Sequence, residues 1–373
     1  MRIGFLIYGS LGTLSGGYLY DRKLVESLRD QGDIVEIISL PWRNYTAHLS
    51  DNFHFRLPPD FDLLIQDELN HPSLLWANAQ PHRYPIVSLV HHLRCSEQRP
   101  DWQNWLYGLP EKRYLNSVDG FIFNSRTTKS VVSKFVKNSK PEIVAYPPTD
   151  RFGHPMTEKE VAARGQEAGP IRLLFLGNII HRKGLHTLLE AISLMRPGVR
   201  LDVIGGSTTE PKYAASMQKR SKSQDLKSWV AFHGPMEREE LAANLKSAHI
   251  LVVPSSYEGF GIVYLEGMAF GLPAIGTTSG AASEIITDGK TGFLIQPGDS
   301  KTLAERLSQL ANDRELLARM SVNALGRYRQ QPTWNETARR IREFLEQIVG
   351  MSVAVKRSPN KRKIITPPDG GSQ

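Results

Sequence analysis

Twelve short apolar runs, six in each half of the chain, constrain the fold more than any other feature of this sequence. In the first half they are Ile3–Ile7, Ile34–Ser39, Leu63–Gln66, Ile86–Val90, Gly120–Phe123 and Ile143–Tyr146. In the second half they are Arg172–Leu176, Arg200–Ile204, Val230–His233, Ile250–Val253, Ala274–Gly276 and Phe293–Ile295. Runs of this length are strands, and helical patterning separates them. It is clearest over Tyr18–Asp30, where Tyr20, Leu24 and Leu28 recur at helical spacing and Gly32 stops the helix. Strands alternating with helices mean βαβ units and a parallel sheet. The alternation breaks over residues 151–170, which are polar and carry glycine and proline. These observations predict an α/β chain of two Rossmann-like domains, 1–150 and 171–330, joined by a linker at 151–170. Ligands of open α/β sheets sit beyond the carboxyl ends of the strands, so a cleft between the halves is the expected site.

The chain has 373 residues, enough for two domains with a core each. A further helix is expected over 333–349. Thr333 and Glu336 fit a capping box, and Trp334, Ala338, Ile341, Phe344, Leu345 and Ile348 share one apolar face that needs a surface to cover. That surface is expected on the first domain. Net charge is +8, and the segment from Met351 carries half of it, five basic residues against Asp369. With prolines, glycines and no periodicity, 351–373 reads as a disordered basic tail, solubilising or in peripheral contact with an anionic membrane. No nucleic-acid module accompanies the charge, so nucleic acid is not an expected partner. Cys95 is the single cysteine, which excludes a disulfide framework and indicates a cytoplasmic, reducing location. The apolar start Met1–Tyr8 runs straight into glycines and reads as a strand.

Five stretches at strand ends could carry chemistry. Pro254–Glu266 follows an apolar strand with a Gly-containing loop and a helix from about Gly261. Glu258 and Glu266 are eight positions apart, so both face one side if Glu258 sits near the helix start. The free N–H groups of Gly259-Phe260-Gly261 would favour an anionic or hydroxyl-rich ligand; an ordinary strand–helix joint with two surface glutamates explains the same residues. Gly16 and Gly17 close a glycine-rich turn after the first strand, which fits neither the dinucleotide nor the P-loop spacing and could be a plain tight turn. His91 and His92 follow the fourth strand and could contact a substrate hydroxyl. No matching set of metal ligands is evident in the sequence around them, so no metal is expected. Asn178, Arg182 and Lys183 follow the first strand of the second half, where the two cations could clamp a diphosphate. Glu284 stands near a helix start after a small-residue loop, meeting phosphate through that loop or simply favouring the helix terminus. Separately, Trp102, Trp105, Leu106 and Leu109 share a helical face, expected in the core, with an acceptor groove or a bilayer as alternatives.

In their order and spacing these pieces resemble glycosyltransferase family 4, retaining enzymes of GT-B fold that use nucleotide sugars. The resemblance runs from Met1 to about Val349 and rests most on Glu258, Glu266 and the Gly-x-Pro that follows, with Ser15-Gly-Gly17, Arg182-Lys-Gly184, Asp288-Gly-x-Thr-Gly-Phe293 and the Trp334 helix. It implies that Arg182 and Lys183 bind the donor diphosphate and that Glu266 holds the ribose hydroxyls. Glu258 and the Gly259-Phe260-Gly261 backbone would meet the transferred sugar. Gly16 and Gly17 would approach phosphate or sugar from the first domain, and one histidine of the pair, His91 by preference over His92, would contact the sugar near the reacting carbon. It implies no cofactor and no metal, only a UDP- or GDP-sugar as co-substrate, whose diphosphate helps deprotonate a glycan, glycolipid or small-molecule acceptor. Two departures stand out: Asn178 occupies a place where many members carry arginine, and Tyr146-Pro-Pro-Thr-Asp150 replaces the usual hinge. A nucleotide-sugar epimerase of the same architecture and a non-catalytic sugar-nucleotide-binding protein remain the competing readings.

Overall fold

The computed structural model describes residues 1–357 except 14, 98, 149, 196 and 197. Strands β1 (Arg2–Tyr8), β2 (Ile34–Leu40), β3 (Leu63–Asp67), β4 (Ile86–Val90), β5 (Gly120–Phe123) and β6 (Glu142–Val144) form one parallel sheet in the order β2-β1-β3-β4-β5-β6. Strands β7 (Ile171–Leu176), β8 (Val199–Ile204), β9 (Val230–Gly234), β10 (Ile250–Val252), β11 (Ala274–Thr277) and β12 (Gly292–Ile295) form a second, in the order β12-β11-β10-β7-β8-β9. Each sheet reverses its winding once, between β1 and β3 and between β7 and β10, and the crevice at that point is where loops can receive a ligand.

The central strands are buried on both faces because helices cover both. Ile3, Phe5 and Ile7 of β1 join one core, while Leu6 and Tyr8 join another on the opposite face. The second sheet packs into a single core that includes Leu173, Leu251 and Ile275. This is the GT-B architecture of two Rossmann-like domains.

Three elements depart from the sequence reading. Residues 151–170 are not a bare connection: they hold the helix Glu158–Gly165, started by a capping box between Thr157 and Glu160. Val161 is fully buried in the second core, and an added Cβ on Gly165 would lie 2.7 Å from the Ala318 Cα, so this helix packs as part of the second domain. Eight residues with few apolar positions are too short for periodicity to reveal. The helix Trp334–Arg357 begins at the Thr333–Glu336 capping box and lays Ile341, Phe344, Leu345 and Ile348 onto the core of the first sheet. It runs on into the segment read as a tail from 351; residues 358–373 lie outside the described residues. Finally, the Trp102–Leu109 face is not core. The helix Asp101–Ser117 buries Gly108, Glu111, Tyr114 and Leu115 instead, leaving Trp102 and Trp105 62% and 65% exposed, with Leu106 and Leu109 beside them.

Candidate active site

The first-domain wall of the cleft is built at the ends of β1, β3 and β4. After β1, Ser15 caps the helix Gly16–Asp30 by accepting from the Tyr18 N–H. Gly17 falls in the first turn, and the His91 ring passes 3.3 Å from where its Cβ would be, so a side chain there would crowd the imidazole. One turn on, Asp21 is fully buried and its Oδ1 is 2.8 Å from His91 Nε2. Burial works against the charged imidazole, but Asp21, with Asp67 and Glu68 behind it, outweighs burial and raises His91 to about 9. His91 therefore presents a cation at neutral pH. His92 takes a different partner, Glu97, at 3.1 Å. Both rings line the same cavity of about 430 Å³.

The second-domain wall is built at the ends of β7 and β10. After β7 the chain passes Gly177 and Asn178, makes a single 3₁₀ turn over His181–Lys183 and turns again at Gly184 in the left-handed region. Lys183 Nζ is 2.5 Å from Glu258 Oε1, and Arg182 lies 3.7 Å from the other oxygen while donating to the Tyr257 carbonyl. Ser255 donates to Glu258 as well. Burial would raise this carboxyl; the Lys183 ammonium and Arg182 guanidinium prevail and hold it at about 2. Burial in turn lowers Lys183. Asn178, Arg182, Lys183, Glu258, Gly259, Phe260 and Gly261 line the same cavity as Gly16, Gly17, His91 and His92. The two walls touch: an added Cβ on Gly259 would come 2.5 Å from the His91 carbonyl oxygen, and Ser125 of the first domain donates to the Gly259 carbonyl.

Glu258 does not sit on the helix. Gly261, at φ 94°, is the cap, and the helix runs Ile262–Ala269. The condition on which both glutamates would share one side of a helix, Glu258 at its start, is therefore not met. Glu266 opens on an adjoining cavity with Ser15, Gly16, Asp150 and Arg238, where Arg151 pairs with it at 3.1 Å and burial raises it. Glu284 is placed differently again. It accepts from the Arg126 and Thr127 N–H groups, the Thr127 hydroxyl and the Tyr146 hydroxyl, so it caps the helix Arg126–Ser133 of the first domain rather than lining the cleft.

Sequence reasoning missed Asp21, Asp67, Glu68, His71 and Arg94. Asp67, Glu68 and His71 follow one another at the end of β3 and Arg94 lies three residues after His91, but Asp21 comes from a distant helix, and only the fold brings it to them. Among the described residues two sets of three ligand atoms lie within 4.8 Å of one another, Asp21–Asp67–His91 and Glu68–His71–Glu111, so the fold gathers carboxylates around these histidines from separate parts of the chain. In the first set His91 is already charged and bound to Asp21; in the second, burial raises Glu68 to about 8 and Glu111 to about 7 and lowers His71 to about 4, which leaves Glu68 mostly protonated, Glu111 about half so, and the imidazole neutral at neutral pH.

Residues 156–327 match the family model described as Glycosyl transferases group 1. The chain is 26% identical over 275 residues to the glycogen synthase of Mycobacterium tuberculosis, covering 72% of this chain and 64% of that protein; it therefore spans less than two-thirds of that relative. Among solved structures it superposes on a sucrose-phosphate synthase from Thermosynechococcus elongatus with a TM-score of 0.78 at 20% identity, over 94% of this chain and 99% of that one. It superposes on Anabaena Alr3699/HepE, solved in complex with UDP-glucose, with a TM-score of 0.74 at 18% identity, over 93% and 100%.

Proposed function

We propose, on the premise that residues 156–327 belong to the group 1 glycosyl transferases, that this chain is a retaining glycosyltransferase. It would move a sugar from a UDP- or GDP-sugar to a hydroxyl of a glycan, glycolipid or small-molecule acceptor. One observation carries the reading: Arg182 and Lys183 converge with Glu258 on the wall opposite Gly17 and the charged His91, across a single cavity. Two fixed cations at the end of a parallel sheet suit a diphosphate, and hydrogen bonds to charged groups in a site shielded from water are strong. Glu266 at the neighbouring cavity suits a ribose diol, once Arg151 yields it. Anabaena Alr3699/HepE, of the same fold, is described as a complex with UDP-glucose, which makes UDP-sugars the first donors to test.

In the proposed reaction the bond from the anomeric carbon to the diphosphate breaks. The acceptor oxygen bonds the same carbon on the same face, and its proton passes to the departing diphosphate. Arg182 and Lys183 stabilise the charge on the leaving group, so the reading needs no metal. Glu258 and the amides at Gly259–Gly261 position the sugar, and His91 supplies a positive hydrogen-bond donor from the other wall.

The reading places the chain in the cytoplasm, with peripheral contact on an anionic membrane. The exposed stripe Trp102, Trp105, Leu106 and Leu109 supports that contact, because Lys112 and Arg113 continue it one turn further and are also exposed. Among the described residues no helix is long and apolar enough to cross a membrane. The test of function is incubation with a panel of UDP- and GDP-sugars, with and without acceptors. Release of nucleoside diphosphate and a new glycoside with the donor's anomeric configuration is expected. Epimerised donor without acceptor, or binding without any turnover, would reject transfer.

A further inference from the structure

The first-domain wall of the cleft carries a cation without a role in the proposed donor site, Arg94. We propose that Arg94 binds an oxyanion, a phosphate or a carboxylate, borne by the acceptor; the proposal rests on the transferase reading. Arg94 lines the cavity from the first domain, as do Tyr45, Glu68 and His71, whereas Arg182 and Lys183 line it from the facing domain. Its guanidinium lies 5.1 Å from the Tyr45 ring centroid and 4.6 Å from that of Tyr107, and the two rings meet edge to face. These cation–π contacts hold the guanidinium in place without using any of its N–H donors.

Those donors have no hydrogen-bond or ion-pair partner among the described residues, and Nε is buried without one. The other two long cations that line the same cavity, Lys183 and Arg182, are engaged with Glu258, and neighbouring Arg99 with Glu97. Glu111 does not serve Arg94's side chain. Its carboxyl accepts from the Arg94 and Cys95 backbone N–H groups and so holds the loop that aims the guanidinium. Burial raises Glu68 and Glu111, which weakens the acids as counterions at neutral pH. Cation–π contact leaves a guanidinium's five donors unsatisfied, whereas a bidentate oxyanion satisfies two at once. The cleft then has two anion sites on opposite walls, one for the donor diphosphate and one that selects a charged acceptor.

The experiment uses the whole chain. Titrations with UDP and GDP come first and report on the donor site alone. With the donor site saturated by the nucleotide that binds, or in buffer if neither does, the protein is titrated with matched probes: glucose, glucose 6-phosphate and glucuronate. Flotation with phosphatidate and with phosphatidylcholine vesicles forms a second arm. Wild type is expected to prefer an anionic probe over its neutral counterpart by about tenfold or more, and Arg94→Ala to abolish that preference. Should Arg94→Ala unfold, Arg94→Gln keeps the length and removes the charge. A preference seen with the soluble probes assigns a soluble acceptor, and one confined to phosphatidate assigns a lipid headgroup. No preference in wild type in either arm, or one that survives both substitutions, overturns the proposal. Failure of UDP and GDP to bind would count against the donor reading instead.

Discussion

At the scale of single residues, the site depends on charges held out of water. Lys183 and Glu258 are a buried pair, and removing one partner strands the other at a cost of about 3–5 kcal/mol. Single alanine variants would therefore confuse lost chemistry with lost stability, and the paired change Lys183→Met with Glu258→Gln is the sound probe. His91 gives a pH signature. Its ordinary value is 6.5 and in the fold it stands at about 9, so the stability it contributes is full below about 6.5 and is lost as pH rises through about 9. Asp67 and Glu68, raised by burial to about 7 and about 8, act in the same direction, because the folded state holds protons that the unfolded chain has released. Stability measured by urea unfolding is expected to fall between pH 7 and 9, and Asp21→Asn to flatten the His91 part of that slope. A flat wild-type profile would show that His91 is not charged. Gly259 offers a steric probe. In Gly259→Ala the new Cβ meets the His91 carbonyl at 2.5 Å, a backbone contact that cannot give way locally. Each domain is expected to stay folded while transfer falls by about 10- to 100-fold, the scale of a small misplacement at a reacting centre.

At the scale of elements, the helix Trp334–Arg357 is the part of the first domain furthest from it in sequence. Leu345 is fully buried against the first sheet, so Leu345→Ala should cost about 2–5 kcal/mol. Hydrogen exchange should quicken at β1 and β5 and stay unchanged at β7; loosening of both sheets alike would contradict this docking. The helix Asp101–Ser117 carries the opposite case, an apolar face that none of the described residues covers. Flotation with phosphatidylglycerol vesicles should retain wild type and release the Trp102→Ser, Trp105→Ser double variant. Equal retention of the two would remove the stripe from the membrane reading. These two helices also show what the sequence discloses. All twelve strands were legible: central ones such as β3, β4 and β5 are buried throughout and leave a continuous apolar run, and the partly exposed β2, β6 and β9 still keep short runs rich in apolar or β-branched residues. The final helix was legible because one face is apolar over several turns. The outward face of Asp101–Ser117 was not, since periodicity marks that a helix has an apolar face but not what covers it. The glycines, His91, Arg182, Lys183 and Glu258 were legible as strand-end residues. Asp21, Arg94 and His71 were not, because their meeting is a product of tertiary packing, and neither was the cap that Glu284 places on a helix of the other domain.

At the scale of the whole molecule, two sheets meet with their strand ends facing one cleft, and the contacts across it are specific. Glu284 caps Arg126–Ser133, Ser125 reaches Gly259, and Gln331 donates to the Pro147 carbonyl where the chain crosses between domains. The molecule thus brings a wall with the paired cations Arg182 and Lys183 against a wall that carries His91 and Arg94, and the central claim is that the cationic wall of the second domain holds a nucleoside diphosphate. The most direct measurement is calorimetric titration of UDP and GDP, against uridine and guanosine, into wild type and the Lys183→Met, Glu258→Gln double variant. A diphosphate is expected to bind wild type about a hundredfold or more tighter than its nucleoside, and the double variant to lose most of that difference while melting cooperatively. Equal affinity for nucleoside and diphosphate, or an unchanged difference in the variant, would contradict the account.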